Sequence, residues 1–390
     1  MTGYVRSPAA VRLREELRAI PGIDHHAHLM VGDDGAFALG DDAAPLYELV
    51  LESAEPGRAA EHVRAHPSHA RAMRDLAGLL GVPAEEAAVA EARAARGHAS
   101  YVRLLLDESR LAAMYVDDGL TWPGLMSMAE QQSLIGVPVR RIARVEVLVQ
   151  DAAAGWPPFD EVAGRFRAEL GRAVAGGELA ALKSTAAYRC GLDLPAADGA
   201  AARAGYERWR AGGSLRLVDP HVISWFLDAA LEITAEPRLP LQFHAGLVGP
   251  DVDLRAGDPA GLRSWLNRPE HRGVPVVVLH AYPYLREASW LAGLYPDVHL
   301  DLSMAMQWAG STRGAEMVLD VLGVAPVSKL LFATDGFRVP ELFYLGARWW
   351  RESLAEALGE LVERGVVDEP TALGYAELVL RGNAARIYPG

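Results

Sequence analysis

The chain is short of cysteine, of basic residues and of long apolar runs. A single cysteine, Cys190, stands in 390 residues. That excludes a disulfide framework and a cysteine-rich zinc site, and it suits a reducing cytoplasm. Lysine and arginine number 38 against 51 aspartates and glutamates, for a formal net charge of −13. Such a chain lacks the electrostatic footprint for nucleic acid or an anionic membrane surface. No apolar run reaches the length of a membrane span. The opening MTGYVRSPAAVRLREELRAI has neither an apolar h-region nor a cleavage site, so no signal peptide is expected.

What is present is apolar residues enough for a large core, 51% of the chain. Length alone allows two or three domains, but an α/β barrel uses this length as one, and residues 1–390 read as a single domain. Eight short β-branched apolar runs recur: GIDHHAH, LAAMYVDDGL, RIARVEVLVQD, ELAALKSTA, LPLQFHAG, VPVVVLHAY, VHLDLSM and SKLLFATDG. Helical patterns separate most of them, among them PFDEVAGRFRAELGRAVAGG and VISWFLDAALEITAE. Strands alternating with helices argue for parallel β/α units, and eight is the number that a closed (β/α)8 barrel needs. Residues from about 40 to 110 hold no convincing strand. They are rich in alanine, leucine and glutamate, with breaks at Pro56, Pro67 and Pro83, and predict a helical insertion after strand one that caps the barrel mouth. Near the end, Leu342, Leu345, Trp349, Leu354 and Leu358 share one helix face.

In barrel enzymes the site lies at the C-terminal ends of the strands. Strand one ends in His26 and His28, two apart and so on one face. Strand four contains Lys183. Strand five ends at His244, strand six at His280 and strand eight at Asp335. Neutral imidazoles are good ligands for zinc and its neighbours. Asp335 can add an oxygen ligand and also accept a proton. A divalent ion lowers the pKa of water and makes hydroxide available as nucleophile. Each piece alone has a bland reading: histidines are ordinary rim residues, and an aspartate before glycine is a turn former. Four histidines and an aspartate at the ends of four strands favour the metal reading.

Further candidates are weaker. Arg144 and Glu146 fall on one face of strand three, as a structural ion pair or as substrate contacts. Arg189, after strand four, suits a substrate carboxylate or the surface. Asp117 and Asp118 read as turn formers. Trp122, Trp308 and Trp349 line the pocket or pack the helices, and Ser303 lies near the mouth. His25 points behind the site. His62, His66, His69 and His98 read as solvated, His271 as a loop residue, and His221 as opening a helix.

The set DHHAH, Lys183, FHAG, LHAYPY and ATDG resembles the amidohydrolase superfamily, and more narrowly the amidohydrolase-2 family and its FluG-like branch. The likeness runs from about residue 20 to GNAARIY at 382–388. It implies that His26, His28 and Asp335 bind a first metal, that His244 and His280 bind a second or complete a single site, and that Asp335 is the general base. In many relatives a strand-four lysine is carboxylated and bridges two metals; Lys183 stands in that place, and its alternative is a protonated side chain paired with a carboxylate. Arg338 follows TDGF where the branch more often has another residue, and it would favour an acidic substrate group. The resemblance implies a cytoplasmic metal-dependent hydrolase acting on an amide of a small carboxylated substrate. A γ-glutamyl amide is suggested because the branch is often fused to, or encoded beside, a glutamine-synthetase-like domain. The ion is zinc first, with manganese, iron or nickel compatible; a homodimer is the default assembly. Two rivals remain: a metal-dependent non-oxidative decarboxylase, and a non-catalytic binding protein of the same fold.

Overall fold

A computed structural model describes residues 7–33, 62–247, 249 and 252–389. Eight strands form one sheet in the order β1 to β8. They are β1 (Gly22–Ala27), β2 (Leu111–Asp117), β3 (Val139–Arg144), β4 (Leu179–Ser184), β5 (Leu241–Ala245), β6 (Val276–His280), β7 (Val298–Asp301) and β8 (Leu330–Leu331). Pairing is parallel, as in Lys183 opposite Gln242 and Ala245 opposite His280. Just beyond β8 the chain runs beside β1: Asp335 N donates to His26 O at 3.0 Å and His28 N to Gly336 O at 2.8 Å. Sequential parallel strands that return to the first define the (β/α)8 barrel. β1 and β4 to β8 are buried along their whole length, which is why most of them read as near-continuous apolar runs, while β2 and β3 are only partly buried.

Among the described residues, fourteen helices have six or more residues. They are α1 (Pro8–Ala19), α2 (Pro67–Leu80), α3 (Glu86–Arg96), α4 (His98–Ser109), α5 (Met128–Ile135), α6 (Val145–Ala152), α7 (Phe159–Ala175), α8 (Gly199–Gly212), α9 (Pro220–Thr234), α10 (Leu285–Leu294), α11 (Ser303–Trp308), α12 (Gly310–Leu322), α13 (Pro340–Glu363) and α14 (Glu369–Glu377). The chain divides into two compact units. One comprises Met1–Val116, Leu120–Val139 and Leu302–Ala384; the other comprises Asp117–Gly119, Arg140–Asp301 and Ala385–Gly390.

The first unit is built on α13. Leu342, Leu345, Trp349, Leu354 and Leu358 are all buried, as their spacing predicts. Gly359 lets α1 approach closely, since a Cβ there would meet Ala10 backbone atoms at 2.6 Å. The insertion is helical where it is described: α2, α3 and α4 contribute Leu76, Val89, Tyr101 and Leu105 to the same core as Phe343 and Trp349. A buried ion pair, Arg93 Nε to Glu341 Oε1 at 2.8 Å, ties α3 to the start of α13. Pro56 and the first part of the insertion lie outside the described residues. The second unit carries an aromatic cluster between α7 and α9, with the Phe166 and Phe226 rings 4.9 Å apart.

Three expectations need correction. The run VEVLVQD is not strand but helix α6; Val145, Leu148, Val149 and Ala152 are buried at helical spacing, a pattern that a short apolar run hides. His69 and His98 are not solvated: His69 Nε2 lies 2.6 Å from Glu86 Oε1, and His98 Nε2 lies 3.0 Å from Val31 O. His271 is likewise more than a loop residue, since it is buried and stacked on Trp265 at 3.8 Å. Among the described residues no helix is long and apolar enough to cross a membrane.

Candidate metal centre

Within the first unit, three ligating groups converge. His26 Nε2 and His28 Nε2 each lie 3.3 Å from Asp335 Oδ1. His26 lies in β1 and His28 just past its end, and their ring centroids are 5.1 Å apart. All three residues are buried. In a tetrahedral zinc site with bonds of about 2.1 Å, neighbouring donors stand about 3.4 Å apart. The two His–Asp edges match that spacing, and the donor set of two imidazoles and a carboxylate suits zinc. The residues present fit a divalent ion.

The backbone here is held in an unusual shape. Asp335 has φ of 52° and Arg338 a φ of 63°, a left-handed region costly for residues other than glycine. Surrounding bonds hold it there. Gln307 Nε2 donates to Thr334 O at 2.6 Å and to Asp335 O at 3.2 Å. Thr334 donates through N and Oγ1 to the buried Asp24, at 3.0 and 2.5 Å. Burial pushes the Asp24 carboxyl up to about 7, although the Thr334 bonds pull the other way. Beside this group, the Phe337 ring meets His28 edge-on at 5.7 Å, and the Arg338 guanidinium lies 3.7 Å over the Trp122 ring. Trp122 is 44% exposed, so this pair lies toward solvent. Trp349 is a core residue of α13, and its Nε1 donates to Asp75 Oδ2 at 2.8 Å.

The second unit presents its own set at the ends of β2 to β7. The His244 and His280 rings lie 4.8 Å apart. Tyr188 Oη is 3.2 Å from His244 Nδ1. If Nδ1–H donates to the hydroxyl, Nε2 keeps its lone pair for a metal, the usual means of fixing a ligand tautomer. His280 has φ of 63° and its N donates to Asp301 Oδ1 at 2.9 Å. Lys183 Nζ stands 2.9 Å from Asp117 Oδ2, and Arg144 Nη2 stands 2.6 Å from the same oxygen. Asp117 is fully buried and also accepts Gly119 N at 2.9 Å. Its role is therefore that of a shared counter-charge, beyond the turn-forming role its sequence context suggests. Asp118 pairs with the half-buried Arg141 at 2.8 Å.

Arg144 and Glu146 do not form the expected pair on one strand. Arg144 ends β3 and turns to Asp117, while Glu146 sits in the first turn of α6. There the Glu146 carboxylate accepts Ser184 Oγ at 2.6 Å and Thr185 N at 3.0 Å, fixing the chain just past Lys183. Arg189 donates to Gln150 Oε1 at 2.7 Å and Leu217 O at 2.8 Å. Burial lowers its pKa from the ordinary guanidinium value. Tyr188, Asp301 and Gln307 escaped the sequence reading. Asp301 had a signal, because VHLD ends an apolar strand in a carboxylate just as the other strands end in histidine. Tyr188 and Gln307 had none.

The fold is shared with solved structures. A protein of Lactobacillus casei assigned as a metal-dependent hydrolase superposes with a TM-score of 0.87 at 24% identity, over 96% of each chain. A uronate isomerase of Thermotoga maritima gives a TM-score of 0.69 at 17% identity, over 98% of this chain and 97% of its own. At these identities the likeness is one of fold, and the fold is a (β/α)8 barrel. No family model matches the chain. The protein fluG of Emericella nidulans is 26% identical over 96% of this chain. The chain is similar to that protein along nearly its whole length, in keeping with the resemblance its motifs carry, and it spans 46% of that relative's length.

Proposed function

We propose that the chain is a metal-dependent hydrolase that cleaves the amide C–N bond of a small carboxylated substrate, with a γ-glutamyl amide as the first to test. One observation carries this: His26, His28 and Asp335 converge with two 3.3 Å edges. The barrel shared with the Lactobacillus casei hydrolase supports it. In this reading His244 and His280 complete the ligand set. A divalent ion held by these residues supplies Lewis acidity, activating water and polarising the scissile carbonyl. Zinc is the first choice for this donor set, with manganese, iron or nickel next.

The chain's own residues do the rest. Asp335 takes a proton from the attacking water and returns it to the leaving nitrogen. Tyr188 and Asp301 orient His244 and His280. Arg338, stacked on Trp122, receives the substrate carboxylate, whereas Arg144 and Arg189 are turned to Asp117 and Gln150 and serve the framework. A glutamine-synthetase-like ligase is the class of enzyme that would form the bond this one breaks. That pathway partner, and a homodimer, belong to the proposal.

A second reading, non-oxidative decarboxylation, draws on the contact of Lys183 with Asp117. A lysine held as an ammonium cannot ligate, which fits a single ion. The test is metal analysis of purified protein together with product analysis on amide and carboxylic acid panels. Two ions and amine release support hydrolysis; one ion and carbon dioxide release support the rival. His26→Ala and Asp335→Asn should lower bound metal, and Asp335→Asn should cut turnover about 10²- to 10⁴-fold. Wild-type protein that binds no added zinc or manganese, or a His26→Ala variant with full metal content, would overturn both readings.

A further inference from the structure

Away from the candidate centre, the first unit holds a cavity of about 910 Å³ between α1, α2, the end of α4 and α13. Its lining is unusual for a chain with a net charge of −13: six arginines against four carboxylates. Two of those carboxylates, Asp75 and Glu352, are already engaged. Arg348 Nε lies 3.5 Å from Asp75 and 3.4 Å from Glu352, and Arg71 Nη2 lies 2.6 Å from Glu352. The floor is Arg351, only 6% exposed. Among the described residues it donates only to backbone carbonyls, of Ala347 at 3.2 Å, Ile20 at 3.2 Å and Arg110 at 3.0 Å, and its Nε has no hydrogen-bond partner there. The buried Asp24 bears on Arg351 electrostatically without a hydrogen bond among the described residues, and a buried guanidinium with no hydrogen-bonded carboxylate is costly unless an anion comes to it. Exposed Arg18 and Arg74 stand at the rim, where they would draw such a ligand inward. The volume lies within the range of small-molecule sites, and guanidinium groups match phosphate oxygens in paired hydrogen bonds.

We propose that this cavity is a binding site for a small phosphorylated metabolite, separate from the metal centre. Its position gives it a lever. Arg351 bonds to the carbonyls of Ile20 and Arg110, which lead directly into β1 and β2, and Gly22 N donates to the same Arg110 carbonyl at 2.8 Å. A ligand drawn to Arg351 therefore acts at the end of β1 away from His26 and His28.

The test is isothermal titration calorimetry of the intact protein with fructose 1,6-bisphosphate, beside sodium chloride at matched ionic strength. Inorganic phosphate serves as a second probe, to separate a need for the organic part from recognition of phosphate alone. One-to-one binding below millimolar is expected. Arg18→Glu/Arg74→Glu should weaken it at least tenfold, and Arg18→Gln/Arg74→Gln should do so in the same direction if charge reversal disturbs folding. His26→Ala should leave it unchanged, which separates this site from the metal centre and from the fate of the hydrolase proposal. Heat no greater than with chloride, equal affinity in both rim variants, or loss of binding in His26→Ala would each overturn it.

Discussion

Asp117 and Asp118 are adjacent and identical in type, yet the structure assigns them very different weight, and substituting each by asparagine tests that. Asp117 is fully buried and accepts Lys183 at 2.9 Å, Arg144 at 2.6 Å and Gly119 N at 2.9 Å. The Lys183 and Arg144 side chains are only 4% and 11% exposed. Asp117→Asn would keep the volume and some hydrogen bonding but remove the charge that both cations share. Breaking a buried pair from one side costs about 3–5 kcal/mol, a large share of the roughly 5–15 kcal/mol that holds a domain folded. Asp118 pairs with Arg141, with side-chain exposures of 26% and 23%. Solvent screens that pair, so Asp118→Asn should cost under about 1 kcal/mol. Urea denaturation followed by circular dichroism gives both values from the midpoints. Equal losses in the two variants, or an Asp117→Asn loss below about 1 kcal/mol, would refute the assignment of Asp117 as the shared counter-charge.

Other outcomes follow from the same geometry. Arg93→Met should destabilise by about 3–5 kcal/mol by leaving Glu341 buried without its cation, and Arg93→Met/Glu341→Leu should recover most of that loss, as read from denaturation midpoints. Burial holds His69 below the usual imidazole range despite the pull of Glu86. The unfolded chain then binds that proton first, so the His69 contribution is complete above about pH 6.5 and declines as pH falls; the wild-type minus His69→Asn stability difference should show that slope. Burial pushes the Cys190 thiol up to about 12, so at about pH 7.5 it should react with a disulfide reagent at least about a hundredfold more slowly than a free thiol.

Much of the barrel was legible in the order of residues. Strands buried on both faces, such as β4, β5 and β6, require continuous apolar runs and announce themselves, whereas β3, with Arg140, Arg141 and Arg144 in six residues, does not. The His-x-His spacing suggests one face for His26 and His28, and the structure brings both to Asp335, with His28 just past the end of β1. The long helix α13 is written in the spacing of Leu342, Leu345, Trp349, Leu354 and Leu358. Composition bounded the rest: one cysteine and an acidic balance exclude whole classes of protein. The run VEVLVQD misled because its apolar positions satisfy a buried strand and a helix alike.

Only the tertiary structure decided who partners whom. Asp117 became the counter-charge of Arg144 and Lys183 because barrel pairing brings the ends of β2, β3 and β4 side by side, which no local spacing encodes. Tyr188 reaches His244 across 56 residues, and Gln307 reaches the Asp335 carbonyl across 28. The same holds for the arginine-lined cavity, whose walls come from α1, α2, α4 and α13, segments far apart in the chain. Residue order determined the strands, the faces and the types of ligand at their ends. Desolvation and long-range packing determined which charges meet, because the stability of a buried charge depends on neighbours that only the closed fold supplies.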